Sequence, residues 1–224
     1  MKSIRALFFL SCVSAGTLFG GSVTLGVDNG GNAFPFGTHA GGSAGTRYQE
    51  AYSSTYFSSP ISITGIDFFL QGGGAGSLYS GTYTLSLSTI TVGVGALSTS
   101  NLASNLGANN AMFEIVALSG NASGTLSFSG ASFNYDPSQG NLLLDIQISN
   151  GSAGNQVAQF QDGQGTGPSG IARYQNFGDP LLSAGYGLVT EFDFTTTTSG
   201  VPEPGTWALL GCGLAGLLVR RFRR

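Results

Sequence analysis

Apolar and polar residues alternate with a period of two in several short segments of this 224-residue chain. In residues 142–148, for example, every second position is leucine or isoleucine, and Asp145 and Gln147 fall between them. Because successive side chains of a β-strand point to opposite faces of a sheet, this pattern predicts half-buried strands. The segments that carry it are 61–70, 82–88, 112–118, 124–129, 142–148 and 188–194.

Glycine, asparagine and serine clusters separate these segments, as expected for turns and loops. Turn residues are concentrated at 136–141 and at Asn150-Gly151, and residues 71–77 and 162–170 are glycine-rich. Residues 97–112 are compatible with a short helix or a long loop. No long helical period precedes the last 20 or so residues. The sequence therefore predicts an all-β fold, a jelly-roll-like antiparallel β-sandwich.

Charge is scarce and unevenly distributed. Charged residues make up 8% of the chain, and between Gly16 and Val201 there are two arginines and ten acidic residues, a formal charge of −8. Such a region lacks the clustered cations that nucleic acids or anionic lipids require, so we expect no nucleic-acid partner. Cys12 and Cys212 both lie near the termini, so disulfides, cysteine-containing zinc sites and cysteine nucleophiles are excluded from the region between.

The C-terminus combines a proline-containing box, a short apolar run and a basic end. Val201-Pro202-Glu203-Pro204-Gly205 is followed by 14 residues from Thr206 to Val219 and then by Arg220-Arg221-Phe222-Arg223-Arg224. As a helix those 14 residues span roughly 21 Å, which is short for a bilayer core of about 30 Å. The arginines place the terminal end in the cytoplasm by the positive-inside rule.

This order of features resembles the PEP-CTERM sorting signal of Gram-negative bacteria, also called the ice-binding-protein C-terminal domain. In that family an exosortase, a membrane-embedded cysteine transpeptidase, reads the box and processes the protein. The resemblance covers about a tenth of the chain and implies three sets of residues. The sorting box is Pro202, Glu203 and Pro204; the transmembrane residues are Trp207, Leu209, Leu210, Leu214, Leu217, Leu218 and Val219; the retention residues are Arg220, Arg221, Arg223 and Arg224.

The N-terminus has the pattern of a secretory signal peptide. Lys2 and Arg5 precede the apolar residues 6–13, and Val13-Ser14-Ala15 is a small-x-small cleavage site, with a second candidate near Gly20. We expect a signal peptide at 1–20, an exported domain at 21–194, a Thr/Ser/Gly linker at 195–201 and the sorting signal at 202–224. The protein is then exported, anchored in the inner membrane before processing, and finally located at the cell surface or in the extracellular matrix.

Residues that could carry catalysis are few. His39, the only histidine, lies in a glycine-rich stretch without a nucleophile motif, and we interpret it as a loop residue. Glu191 and Asp193 share one face of a predicted strand, a spacing that a glycosidase could use, but alternation predicts that both face solvent. The Gly72–Gly76 stretch lacks the lysine and helix of a phosphate loop. We expect no enzymatic activity and no cofactor.

Two binding hypotheses remain open beside this interpretation. Loop oxygens at 28–32 and 162–165 suit calcium, although neither loop matches a known calcium motif, and turn formation is the default explanation for them. Tyr48, Tyr52, Tyr56 and Phe57 form an aromatic cluster that could stack on sugar rings, or pack in the core. The central region, notably Arg47-Tyr48-Gln49 and the strand after Pro60, also resembles other exported PEP-CTERM substrates.

The sequence thus predicts a non-enzymatic surface or matrix protein whose partners are an exosortase and the cytoplasmic membrane. The alternative is a lectin-like carbohydrate-binding module that acts on exopolysaccharide. Ice binding does not follow from the tail alone, because Thr195–Thr198 is a run rather than a regular array.

Overall fold

Short strands make up most of the regular structure in the computed structural model, which describes residues 18–37, 46–152, 158–176, 181–182 and 185–197. The strands are β1 (Leu18–Leu25), β2 (Gly30–Asn32), β3 (Thr46–Tyr52), β4 (Ile61–Phe69), β5 (Ala75–Ser77), β6 (Ser80–Ile90), β7 (Ala111–Leu118), β8 (Asn121–Ser123), β9 (Thr125–Phe128), β10 (Phe133–Tyr135), β11 (Asn141–Ser152), β12 (Phe160–Asp162), β13 (Ile171–Gln175), β14 (Leu181–Leu182) and β15 (Thr190–Thr197). Short 3₁₀ helices span Ser54–Tyr56, Gln71–Gly73, Val94–Ala96, Leu102–Asn105 and Pro137–Gln139.

The longer strands form two sheets. One has six strands in the order β14-β13-β3-β11-β6-β7. The other has the order β1-β15-β4-β10, with β9 pairing with the same edge of β4 as β10. Two small pairs, β12 with β2 and β5 with β8, complete the described sheets. The strands pair in antiparallel register in these sheets, which agrees with the all-β, sandwich-like expectation; the jelly-roll connectivity remains a prediction.

The main core is built from the inward residues of both sheets. Tyr83, Leu85 and Leu87 of β6 are fully buried, as the alternation of 82–88 predicts. They belong to the same apolar cluster as Ile63 of β4 and Phe192 of β15, from the opposite sheet. Burial of this alternating face supplies the main force that holds the sheets together.

A second, smaller core lies on the outer face of the six-stranded sheet. Leu143, Ala172 and Tyr174 project outward from β11 and β13, and they pack under Val94, Leu97 and Leu102 of the segment that follows β6. This segment, expected to be a short helix or a loop, is mostly loop with two 3₁₀ turns. The segment covers only part of the outer face. Where it does so, β3 and β13 are buried on both of their faces.

Several boundaries differ from the sequence-based expectations. Asn150 and Gly151 do not form a turn; they lie in β11 at a register irregularity, with Asn150 at φ 54°. Residues 71–77 form a 3₁₀ turn and β5 rather than an open loop. The strand β15 continues to Thr197, so the first part of the predicted linker 195–201 is sheet.

Candidate functional site

The residues predicted for sorting and anchoring all lie after Thr197, outside the described residues. These are the box Pro202, Glu203 and Pro204, the apolar residues Trp207, Leu209, Leu210, Leu214, Leu217, Leu218 and Val219, and the arginines Arg220, Arg221, Arg223 and Arg224. His39 lies outside them as well. In the described part of the chain, no helix is long and apolar enough to cross a membrane.

Of the two alternatives for the aromatic cluster, a sugar platform or core packing, the structure shows core packing. The residues of the cluster are Tyr48, Tyr52, Tyr56 and Phe57; Tyr56 is half-buried and the other three are buried. The Tyr52 hydroxyl donates to Thr190 Oγ1 at 2.9 Å, and its ring meets the Phe192 ring edge-on with centroids 5.0 Å apart. Tyr48 and Tyr52 point inward because they occupy alternate positions of β3.

A cluster of ionisable side chains is sealed inside the sandwich, and sequence reasoning missed it. Glu50 of β3 stands opposite Arg173 of β13 in the strand register. Arg173 Nη1 donates to Asp162 Oδ2 at 3.3 Å, and the Tyr48 hydroxyl donates to Glu50 Oε2 at 2.9 Å. Glu50, Asp162 and Arg173 are at most 5% exposed. Burying charges costs several kcal/mol per ion unless they are paired.

The charges of this cluster do not balance if both carboxyl groups are ionised. One guanidinium faces two carboxyl groups, and its hydrogen bond goes to Asp162. Burial raises the pKa of Glu50 to about 8, although the hydrogen bond from Tyr48 works in the opposite direction. Burial also raises the pKa of Asp162, against the backbone N–H of Gln164 and the charge of Arg173. Glu50 is therefore the group that holds a proton near neutral pH.

The two loops considered for calcium are neighbours, because β2 pairs with β12. The Asp162 carboxylate between them is already used: Oδ2 accepts from Asn32 Nδ2 and Arg173 Nη1, each at 3.3 Å, and Oδ1 accepts from the backbone N–H of Gln164 at 2.6 Å. A guanidinium in contact with a carboxylate competes with any cation. Across the described ranges, no three His, Cys, Asp or Glu side chains are grouped to hold a metal ion.

The acidic pair of β15 lies on the outer face of the five-stranded sheet, as alternation predicts. Asp193 is exposed and Glu191 is half-buried, with its carboxylate accepting a hydrogen bond from the Thr24 hydroxyl. Asp67 of β4 stands opposite Glu191. Partial burial and the charges of Asp67 and Glu191 raise the pKa of Asp193. This is an acidic row on a surface, and nothing in its geometry selects a reaction.

A polar network on the outer face of the six-stranded sheet is the best-defined arrangement near solvent. Arg47 forms a two-point ion pair with Asp145, Nε to Oδ1 at 2.6 Å and Nη2 to Oδ2 at 2.9 Å. Gln49 Nε2 donates to the same Oδ1 and to the Leu102 carbonyl, both at 2.8 Å, and Asn105 Nδ2 donates to Gln49 Oε1 at 2.8 Å. The network fastens the 3₁₀ turn Leu102–Asn105 to the sheet.

The contacts of this network explain the role of each residue in the Arg47-Tyr48-Gln49 motif. Alternation along β3 turns Arg47 and Gln49 outward to Asp145, whereas Tyr48 turns inward to Glu50. The same tripeptide recurs as Arg173-Tyr174-Gln175 on the neighbouring strand β13, and there the arginine faces inward. The repeat of this tripeptide around the only two arginines of the exported region is the sequence signal that could have located both clusters.

Comparison with known proteins identifies the C-terminal segment alone. The family model described as the PEP-CTERM protein-sorting motif matches residues 200–224. No curated protein is significantly similar to the chain. No solved structure is significantly similar either. The chain therefore carries a PEP-CTERM sorting signal, which implies export, membrane anchoring before processing, and an exosortase as the processing enzyme.

Proposed function

We propose that this protein is a non-enzymatic component of the cell surface or extracellular matrix. A short C-terminal helix anchors its jelly-roll-like β-sandwich to the cytoplasmic membrane until an exosortase acts on the Pro202–Pro204 box. The observation that carries the proposal is the match of residues 200–224 to the PEP-CTERM sorting motif. The signal-peptide pattern at the N-terminus supports the same route.

The use of the described ionisable groups favours a structural role over catalysis. Glu50, Asp162 and Arg173 are sealed in the core, and Asp145 is paired with Arg47 in the network that fastens a loop. General acid–base catalysis needs a titratable group within reach of a substrate. The Glu191 and Asp193 carboxylates are reachable, but they lie on the outer face of a sheet, and Glu191 accepts a hydrogen bond from Thr24.

The physical account of sorting rests on the two ends of the anchor. Pro202 and Pro204 lack backbone N–H donors, which favours an extended box and a helix that begins after it. The arginines that follow Val219 resist transfer across the membrane and hold the helix in place. A processing enzyme is thereby offered an extended strip at the outer membrane surface.

The test is to express the full chain in a host that carries an exosortase, together with a Glu203→Ala variant and a variant without Arg220–Arg224. We expect both variants to remain unprocessed or to be misplaced, while the sandwich folds normally. Asp28→Ala, which removes an exposed acidic side chain far from the box in sequence, is the control and should mature as the parent does. Normal maturation of the Glu203 and arginine variants would contradict the proposal.

A further inference from the structure

The outer face of the six-stranded sheet is covered over only part of its area. The Leu102–Asn105 turn lies over the row that contains Gln49 and Asp145. The next row outward is Arg47, Gln147, Thr84 and Ile115, which stand side by side on β3, β11, β6 and β7. We call these four residues the outer row. With neighbouring strands about 4.8 Å apart, the outer row is about 14 Å long.

The outer row presents hydrogen-bonding groups in fixed positions at one end. Asp145, whose side chain is 1% exposed, accepts two hydrogen bonds from the Arg47 guanidinium. This buried carboxylate therefore fixes the orientation of the guanidinium. The Arg47 side chain is 13% exposed, and its Nη1 has no hydrogen-bond partner among the described residues. Gln147 adds an exposed amide, whose Nε2 donates to Asp145 Oδ2 at 3.4 Å, and Thr84 adds a half-buried hydroxyl. Preorganised donors of this kind reduce the entropy lost on binding.

Apolar surface stands at the other end of the outer row. Ile115 is 56% exposed, and Met112 on the same strand is 55% exposed, the two largest values among the large apolar side chains described. A depression of about 240 Å³ borders the row beside Arg47 and Gln147, and Ser100 and Asn101 line its far side. Exposed apolar side chains next to fixed polar groups are a mark of a binding surface.

The charges of this surface select a neutral ligand. The charge of Arg47 is cancelled by Asp145, and the other members of the outer row are uncharged. The exported region as a whole has a formal charge of −8, which repels polyanions at long range. A neutral sugar chain fits both properties, since its hydroxyl groups match the guanidinium, amide and hydroxyl, and its C–H faces match Ile115.

We propose that the outer row, with the adjoining depression, is a binding surface for a neutral polysaccharide. The elongated row suits a stretch of sugar chain rather than a single enclosed sugar. This inference adds a ligand to the surface role proposed above, but it does not depend on the sorting signal. Binding is tested on purified protein, so its failure leaves the processing experiment unaffected, and the reverse also holds.

Affinity gel electrophoresis of the full chain provides the test, in a detergent without a sugar headgroup. The gels contain dextran, xylan or hydroxyethyl cellulose as neutral polymers, and alginate as an acidic one. The test variant is Gln147→Ala with Ile115→Ala. The matched control is Gln139→Ala with Val92→Ala, an amide and an exposed aliphatic residue outside the outer row. Circular dichroism and urea unfolding establish that both variants fold.

We expect at least one neutral polymer to retard the parent protein, and affinity to fall about tenfold in the test variant, equivalent to about 1.4 kcal/mol. The control should bind as the parent does. Three results would overturn the proposal: no retardation by any neutral polymer, retardation by alginate alone, or equal loss in the test and control variants. A dimer in sedimentation velocity that the Ile115 substitution abolishes would also overturn it, because a second copy would then cover this face.

Discussion

Arg47 and Arg173 are committed to buried carboxylates, and the strand register decides which face each one serves. Arg47 turns outward to Asp145, and Arg173 turns inward to Asp162. Arg173 pairs with Glu50, three residues after Arg47, and because the side-chain period of a strand is two, this odd offset places the two arginines on opposite faces. The same two arginines therefore build two clusters with different consequences for stability.

The free energy of unfolding should fall as the pH rises, because ionisation of the buried Glu50 carboxyl is unfavourable in the folded state. Its pKa lies near 8 in the folded protein, against an ordinary value of 4.5, so the folded state binds the extra proton. This contribution to stability is fully present below about pH 4.5 and is lost as the pH rises through about 8. Urea midpoints measured between pH 5 and 9 should fall for the parent and fall less for Glu50→Gln.

The matched control for this titration is Asp28→Asn, which neutralises an exposed carboxylate. It should retain the pH dependence of the parent. If Glu50→Gln and the parent lose stability equally with pH, Glu50 is ionised in the folded state and the assignment of the proton is incorrect.

Removing the Asp145 side chain should lower the free energy of unfolding, because the Arg47 guanidinium loses its ion pair and the Leu102–Asn105 turn loses part of the network that attaches it to the sheet. Breaking one partner of a buried ion pair costs about 3 kcal/mol or more, so Asp145→Ala should lower the free energy of unfolding by about that amount. Asp193→Ala, at an exposed position among other carboxylates, should change it by less than about 0.5 kcal/mol. Equal effects of the two substitutions would show that the Arg47 network contributes nothing.

At the scale of elements, strands with one apolar face were predictable and strands with polar residues in the core were not. The alternation of 82–88 and 142–148 located β6 and β11, since only one of their faces joins the main core. The strands β3 and β13 carry Glu50, Arg173 and Gln175 at buried positions, which breaks the apolar pattern. The pairing of β2 with β12 depends on contacts distant in sequence, so no local signal reveals it.

The irregularity in β11 gives Asn150 a special backbone requirement. Its φ of 54° lies in the left-handed region, which asparagine and glycine tolerate and β-branched residues do not. Asn150→Val should therefore lower the free energy of unfolding by about 1–2 kcal/mol, whereas Asn150→Gly should have little effect. Ser149→Val, one residue earlier in the extended part of the strand, is the control. Equal stability of the two valine variants in urea would contradict this account of the left-handed conformation at Asn150.

At the scale of the whole molecule, Gly20–Thr196 is one compact unit. The sorting signal was predictable from sequence because its parts are contiguous: a box, an apolar run and arginines in a fixed order. The buried clusters and the outer row were not, because they are assembled from several strands. Targeting is thus encoded locally, and the binding surface is encoded by the fold.

The mass of the mature protein tests the central claim most directly. Intact mass spectrometry of the membrane and extracellular fractions should find an extracellular form that ends between Val201 and Pro204, without the apolar run and the arginines. Its N-terminus should begin between Gly16 and Gly21, as the two candidate cleavage sites require. A protein that is found only in the membrane fraction and still ends at Arg224 would contradict processing by an exosortase and leave a plain C-terminal anchor.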